Sequence, residues 1–343
     1  HRGVLRRCIH APEAPLAGVL PCPHDRAKPP AMTLAFVFPG QGSQAVGMGK
    51  ALADAFPSAR HVFQEVDDAL NQRLSALMWT GSPEELTLTA NAQPALMAVS
   101  VAAMAALKNE FGVGVETAAA LAGHSLGEYS ALAAAEAFTV ADAARLLRIR
   151  GDAMQAAVPV GEGAMASLIG KVDVALAEEI AAAGAEAGVC VVANDNNVGN
   201  VVISGAKAGV DAAIAAAKAK GARAIPLNVS APFHSPLMQP AADAMAAALA
   251  KVTIAPPLVP VFANVTTNPT QTPTEIRTLL VQQVTGRVRW RESIEAMHAA
   301  GVARFVEVGA GKVLAGMIKR IAPDAEALSL NEPAELEAFA KAI

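Results

Sequence analysis

From Met32 onward, short β-rich apolar runs alternate with longer Ala-rich stretches of helical period, and this alternation narrows the choice of folds most. A strand that is apolar on both faces must be covered on both. Helices threaded between successive strands do that, so the pattern predicts an α/β protein with a mostly parallel sheet. Residues 34–38 read as a buried strand ended by Pro39-Gly40. Residues 58–70 and 93–111 read as helices, the second with Pro94 in its first turn, and residues 117–122 as the next buried strand.

Residues 159–228 carry an order of their own: strand 164–169, helix 174–187, strands 189–193 and 201–204, helix 211–220, strand 222–227. This β-α-β-β-α-β order matches a ferredoxin-like unit. Pro159, Gly161 and Gly163 precede it and Pro226, Pro232 and Pro236 follow, the punctuation expected where a chain crosses between lobes. The expectation is therefore a catalytic subdomain built from residues 32–158 and 229–343, with 159–228 inserted into it. After Phe233 the larger pattern resumes with a strand at 259–265, helices at 274–284 and 291–300, a strand at 304–308 and a helix from Lys312.

Residues 1–31 differ from the rest, being Pro-rich, Arg-rich and aperiodic. They read as a non-core extension ahead of a natural start at Met32, either upstream translation or a targeting peptide. Of 27 basic and 31 acidic residues, this stretch holds five and two, leaving 22 against 29 in the body. That balance argues against nucleic acid as a partner, because neutralising phosphates needs a basic surface. The longest near-continuous apolar run, 95–107, is too short to span a bilayer, so a soluble chain with no membrane anchor is expected. Cys8 and Cys22 lie in the extension and Cys190 stands alone, which offers neither a disulfide framework nor metal-ligand spacing and suits a reducing cytoplasm.

Between the strand ending near Ala122 and the helix that follows lies Gly123-His124-Ser125-Leu126-Gly127, a Gly-x-Ser-x-Gly in the strand-turn-helix context of a nucleophile elbow. The turn strains the serine backbone and needs small neighbours, and it projects the hydroxyl at a helix N-terminus that favours developing negative charge. Read without its context, the same pentapeptide describes a serine N-cap flanked by turn glycines.

A serine nucleophile needs a base. Outside the extension there are four histidines. His61 and His298 fall on amphipathic helices as surface or packing residues, and the side chain of His124 should leave the turn away from its neighbour. His234 lies in Pro232-Phe233-His234-Ser235-Pro236, a proline-stiffened loop where the insertion returns to the main domain, and is the candidate base. A histidine that only fixes this loop by hydrogen bonds is the alternative. Two Gly-rich turns complete the inventory. Gly40-Gln41-Gly42-Ser43 follows the first strand without the Lys-Ser/Thr of a phosphate loop and is suited to donating a backbone N–H to an oxyanion. Gly309-Ala310-Gly311-Lys312-Val313 reads as a strand-to-helix turn rather than a nucleotide loop.

Together with Ala92-Gln93-Pro94, Arg148-Ile149-Arg150-Gly151 and Val288-Arg289-Trp290, these motifs resemble, in order, the malonyl-CoA:acyl carrier protein transacylases over about residues 32–333. The resemblance implies an α/β-hydrolase-like large subdomain with a ferredoxin-like insertion. It also implies Ser125 as nucleophile, His234 as base, and the backbone N–H groups of Gln41 and Leu126 as oxyanion hole. Arg150 would hold the malonyl carboxylate, Gln93 would line the pocket, Asn194 and Asn196 would face the cleft, and a backbone carbonyl near Gln283 would orient the base. Phe233 resembles the malonyl-type rather than methylmalonyl-type pattern. Malonyl-CoA and an acyl carrier protein are the implied partners and CoA thioester is a substrate, with no metal or bound cofactor, in a cytoplasmic monomer. Lys218, Lys220, Arg223, Arg287, Arg289, Lys319 and Arg320 are candidates for a basic patch facing an acidic carrier. A serine esterase or thioesterase would share the elbow but not need Arg150, and a polyketide-pathway acyltransferase would share both.

Overall fold

Thr33–Phe38 (β1) is buried from Leu34 to Phe38, as a strand must be when it is covered on both faces. It pairs in parallel with Ala120–Gly123 (β2) on one side and, across the chain, with the strand 302–308 on the other. The structure, a computed structural model, describes residues 33–229 and 231–343; the extension 1–31, the proposed start at Met32, Cys8 and Cys22 lie outside them. The remaining strands are Gly163–Ile169 (β3), Cys190–Asn197 (β4), Asn200–Ala206 (β5), Arg223–Pro226 (β6), Val261–Phe262 (β7), Pro269–Thr270 (β8), Val302–Val308 (β9) and Glu326–Leu330 (β10).

Two sheets result. The larger runs β10-β9-β1-β2-β7-β8 and is parallel except for the edge pair β7–β8. The smaller is antiparallel, in the order β4-β5-β3-β6, with helices Val174–Ala185 and Lys207–Ala219 packed together on it. Its elements follow the β-α-β-β-α-β sequence expected. The class is α/β, with a mostly parallel sheet and a small antiparallel one.

Several boundaries differ from the sequence reading. The helix expected from Gln93 starts at Thr89, so Pro94 is its sixth residue rather than part of its first turn. The Asn91 and Ala92 N–H groups both donate to Leu88 O, which starts the helix about one turn early. The strand expected over 117–122 opens instead as a 3-10 turn, Val115–Thr117, and pairs only from Ala120. The strand expected over 259–265 shrinks to two residues, because Ala263 turns back to accept from Thr267 N–H.

Helix Thr89–Phe111 is long and apolar enough to cross a membrane, contrary to the expectation from the shorter run 95–107, and 89% of its most apolar window is buried. It is the central core helix, packed against helices Pro57–Leu70 and Val140–Ala156. A helix that is apolar all round needs such a site.

The small sheet is tied, at β4, to the segment that enters helix Trp290–Ala299. Val288 N–H donates to Ala193 O at 2.8 Å, and Asp195 N–H donates to Val288 O at 2.9 Å. Arg291, at the start of helix Trp290–Ala299, closes the link with an ion pair to buried Asp195 at 2.8 Å.

Candidate active site

β2 ends at Gly123 and helix Gly127–Ala134 begins four residues later, so the chain reverses within His124-Ser125-Leu126. Ser125 takes a left-handed backbone, φ 54°, which a side chain adopts only at a cost of about 1–2 kcal/mol. The flanking glycines allow it. A Cβ on Gly123 would lie 1.9 Å from the Gly127 carbonyl carbon, and one on Gly127 would lie 2.3 Å from Phe38 O. Leu126, not Ser125, occupies the N-cap position, and no side chain there caps the helix.

Asn264, just after β7, holds the turn from outside. Its Oδ1 accepts Ser125 N–H at 2.8 Å and its Nδ2 donates to Gly123 O at 2.7 Å. Both backbone groups lie where no sheet or helix partner reaches them, so the side chain stands in for missing secondary structure.

Ser125 Oγ lies 2.7 Å from His234 Nε2. His234 is also left-handed, φ 55°, in a loop where Ser235 Oγ donates to Pro232 O at 2.7 Å. Its Nδ1 is 2.9 Å from Gln283 O and 3.1 Å from Gly286 O, both acceptors, so the proton sits on Nδ1 and Nε2 is free to accept from the serine. These carbonyls end helix Pro273–Thr285, where C-terminal carbonyls lack helical partners and carry the negative end of the dipole. Burial, with Arg150's charge second, pulls the imidazole down to about 3, so it is neutral at ordinary pH.

Helix Val140–Ala156 carries three arginines with different fates. Arg145 pairs with Asp142 at the surface and Arg148 donates to Gln72, whereas Arg150 is 1% exposed and points inward. Its Nη1 donates to Gln93 Oε1 at 2.8 Å; its Nη2 donates to Gln283 Oε1 at 2.9 Å and to Ser125 Oγ at 3.2 Å. The guanidinium also lies over the Tyr129 ring, 5.8 Å from its centre. Gly151 lets this helix approach: a Cβ there would be 2.6 Å from Ala90 Cα.

A cavity of about 380 Å³ opens onto these groups, lined by Gln41, Gln93, His124, Ser125, Leu126, Arg150, Asn194, Asn196, Phe233 and His234, with Met154, Met165 and Val202 as apolar wall. Among the described residues the backbone N–H groups of Gln41 and Leu126 meet no acceptor. His124 turns away from its neighbour, as expected, and its Nε2 meets Asn196 Oδ1 at 2.9 Å. Gln283, in contrast, is fully buried and does not line the cavity. Its carbonyl and side chain instead support His234, Arg150 and Ser125 from behind.

Three residues escaped the sequence reading. Asn264 follows a short strand and has no local signature. Gly286 contributes only a carbonyl. Glu128 did carry a signal, being a charged residue in an otherwise apolar run directly after the elbow; it is 3% exposed, and burial pushes its carboxyl up to about 7. Elsewhere, His61 is exposed and His298 bridges Val302 O and Asp324 at the end of its helix. Gly309–Lys312 joins β9 to helix Val313–Ile321 as a turn, capped by Glu307, whose oxygens accept Leu314 and Ala315 N–H. Cys190 is buried and its thiol is pushed up to about 11, which suits packing rather than reactivity. In the basic set, Lys220, Arg287 and Arg289 are tied to Glu179, Glu178 and Glu292. No cluster of side chains suited to a metal ion occurs among the described residues.

A serine on a strained strand-to-helix turn, bonded to a neutral histidine and overlooked by a buried arginine, is an arrangement suited to nucleophilic acyl transfer on an α/β fold. Residues 35–330 match the acyl transferase domain family, and the chain belongs to it. It is 47% identical over 305 residues to the malonyl CoA-acyl carrier protein transacylase of Escherichia coli (strain K12), covering 89% of this chain and 97% of that protein. The Bacillus subtilis (strain 168) protein of the same name is 44% identical over 305 residues, covering 89% and 95%. A solved acyl-carrier-protein-S-malonyltransferase from Bartonella henselae is 55% identical and superposes with a TM-score of 0.88, covering 91% of this chain and 99% of that one.

Proposed function

We propose that this protein moves malonyl from malonyl-CoA to the phosphopantetheine thiol of an acyl carrier protein in fatty acid synthesis, through a malonyl ester on Ser125. One observation carries the reading: Ser125 Oγ sits 2.7 Å from the basic nitrogen of His234 and 3.2 Å from the guanidinium of buried Arg150. A hydrolase of simple esters gains nothing from burying a cation beside its nucleophile. An acyl group ending in a carboxylate does, because a planar guanidinium grips a carboxylate through two parallel hydrogen bonds.

In the first half-reaction, His234 Nε2 takes the Ser125 hydroxyl proton as Oγ attacks the thioester carbonyl. The N–H groups of Gln41 and Leu126 hold the oxyanion, and the Gln283 and Gly286 carbonyls stabilise the imidazolium through Nδ1–H. Collapse breaks the C–S bond, His234 protonates the CoA sulfur, and malonyl-Ser125 remains. In the second, His234 takes the carrier thiol's proton, sulfur attacks the ester, and the proton returns to Ser125 Oγ, giving ping-pong kinetics. Gln93 holds Arg150 in place, Asn194 and Asn196 line the approach, and Phe233 crowds a 2-methyl branch. No bound cofactor is needed, since CoA thioester is a substrate, and the reading is of a cytoplasmic enzyme.

The architecture fits an α/β-hydrolase-like catalytic subdomain of residues 32–158 and 229–343 with a ferredoxin-like insertion at 159–228. The strand order β4-β5-β3-β6 supports the second description. Intact-mass measurement after mixing with malonyl-, methylmalonyl- and acetyl-CoA tests the function. A malonyl adduct that disappears in Ser125→Ala is expected; labelling that survives the substitution, or acetyl preferred over malonyl with Arg150 intact, refutes it.

A further inference from the structure

Helix Gly127–Ala134 is buried from Gly127 to Ala133, and Glu128 is the one charged residue in it. A carboxylate taken out of water costs several kcal/mol unless it is paired, and an apolar side chain would fill the position more cheaply. Yet Glu128 makes no ion pair among the described residues. Its Oε2 accepts two hydrogen bonds: Asn264 N–H at 3.0 Å and Gln283 Nε2 at 2.8 Å.

Both donors hold the nucleophile. Asn264 binds Ser125 N–H and Gly123 O through its side chain. The Gln283 amide donates through the same Nε2 to Ser125 O at 3.0 Å and accepts Arg150 Nη2 through Oε1. An amide with two near-isosteric ends has two orientations, and a neighbouring carboxylate decides between them. An acceptor-only Glu128 draws the NH₂ end, which turns Oε1 to the guanidinium. The flipped amide would set NH₂ against Arg150 and turn Oε1 toward Ser125 O, which would keep only Glu128 N–H, at 3.1 Å, as donor.

The geometry points to Glu128 as a positioning residue for acyl transfer, whose carboxylate locks the Gln283 amide and so fixes the Ser125 backbone and the Arg150 guanidinium together. This rests on the site reading above. The titratable groups around Glu128 are Arg150 on helix Val140–Ala156, Tyr129 on its own helix, and His124 and His234 across the nucleophile. Only Arg150 acts on it by charge, favouring the carboxylate against the larger effect of burial. With its carboxyl near 7, the lock is at full strength above that pH, and below it the neutral carboxyl accepts more weakly and holds the amide less firmly, whereas His234, pulled down to about 3, titrates far outside the window.

The test is the single-turnover rate of Ser125 malonylation by malonyl-CoA from pH 5 to 9, followed by rapid quench and intact mass. The wild-type rate should fall about tenfold per pH unit below an inflection near 7. In Glu128→Gln the inflection should vanish and the plateau drop by about 10- to 100-fold. A wild-type profile flat between pH 6 and 8, or an inflection that persists in Glu128→Gln, overturns the inference. Should that variant not fold, Glu128→Asp keeps the charge but shortens the reach. It should retain the inflection at a lowered plateau, and an unchanged plateau would count against the lock. Adduct surviving in Ser125→Ala would instead overturn the site reading itself.

Discussion

Replacing Asn264 with Ala should damage stability and chemistry together, because one side chain partners both Ser125 N–H and Gly123 O in the elbow. Its two hydrogen bonds, 2.8 Å from Ser125 N–H and 2.7 Å to Gly123 O, are made to groups with no other partner in reach. Orphaning a buried backbone donor or acceptor costs about 1–3 kcal/mol, so the pair amounts to about 2–6 kcal/mol. Against a total stability of about 5–15 kcal/mol for a typical domain, that is a large share. The loss should also release Ser125 from its left-handed conformation, and a misplacement of about 1 Å lowers the rate by about 100-fold. Urea denaturation gives the first quantity and single-turnover malonylation the second, at a temperature where the variant is folded. A destabilisation below about 1 kcal/mol with an unchanged rate would show that the elbow is held by its own glycines and sheet, and would refute this account.

Arg150→Lys keeps the charge but loses the fork that spans Gln93 and Gln283; kcat/KM for malonyl-CoA should fall by about 10- to 100-fold while acetyl transfer falls less, and equal losses would count against carboxylate recognition. Gly127→Ala places a methyl 2.3 Å from Phe38 O, so the variant should lose both soluble yield and adduct formation, and a well-folded active variant would contradict the close approach. Stability should peak in mildly acidic solution. Glu128, raised from 4.5 to about 7, favours the fold fully below its unfolded value, and its contribution of about 3 kcal/mol is lost as pH climbs through 7. His234, lowered to about 3, acts oppositely: its contribution is present above its unfolded value of 6.5 and is lost as pH falls toward 3. Urea midpoints that rise from pH 6 to 8 in the wild type, or a Glu128→Gln variant with the same slope, would contradict the first part.

The α/β class, the order of elements in residues 159–228, and the strand-turn-helix around Ser125 were legible because each is written in local terms: apolar period, turn residues, and glycines at fixed offsets. Boundaries were less so. The start of helix Thr89–Phe111 depended on Leu88 O accepting two N–H groups, and the shortness of strand Val261–Phe262 on the turn that begins at Ala263, neither of which periodicity encodes.

The site divides the same way. A serine between two glycines and a histidine between two prolines stand out in the chain because strained backbone demands particular neighbours. Glu128, Asn264 and the Gln283 side chain act across 136, 139 and 155 residues of sequence, and their partners are chosen by burial and direction. What the sequence determined by itself was the local geometry that makes a serine nucleophilic in principle. Only the tertiary structure decided which distant amides and which buried carboxylate hold that serine beside an arginine, because hydrogen bonds between remote segments leave no periodic trace.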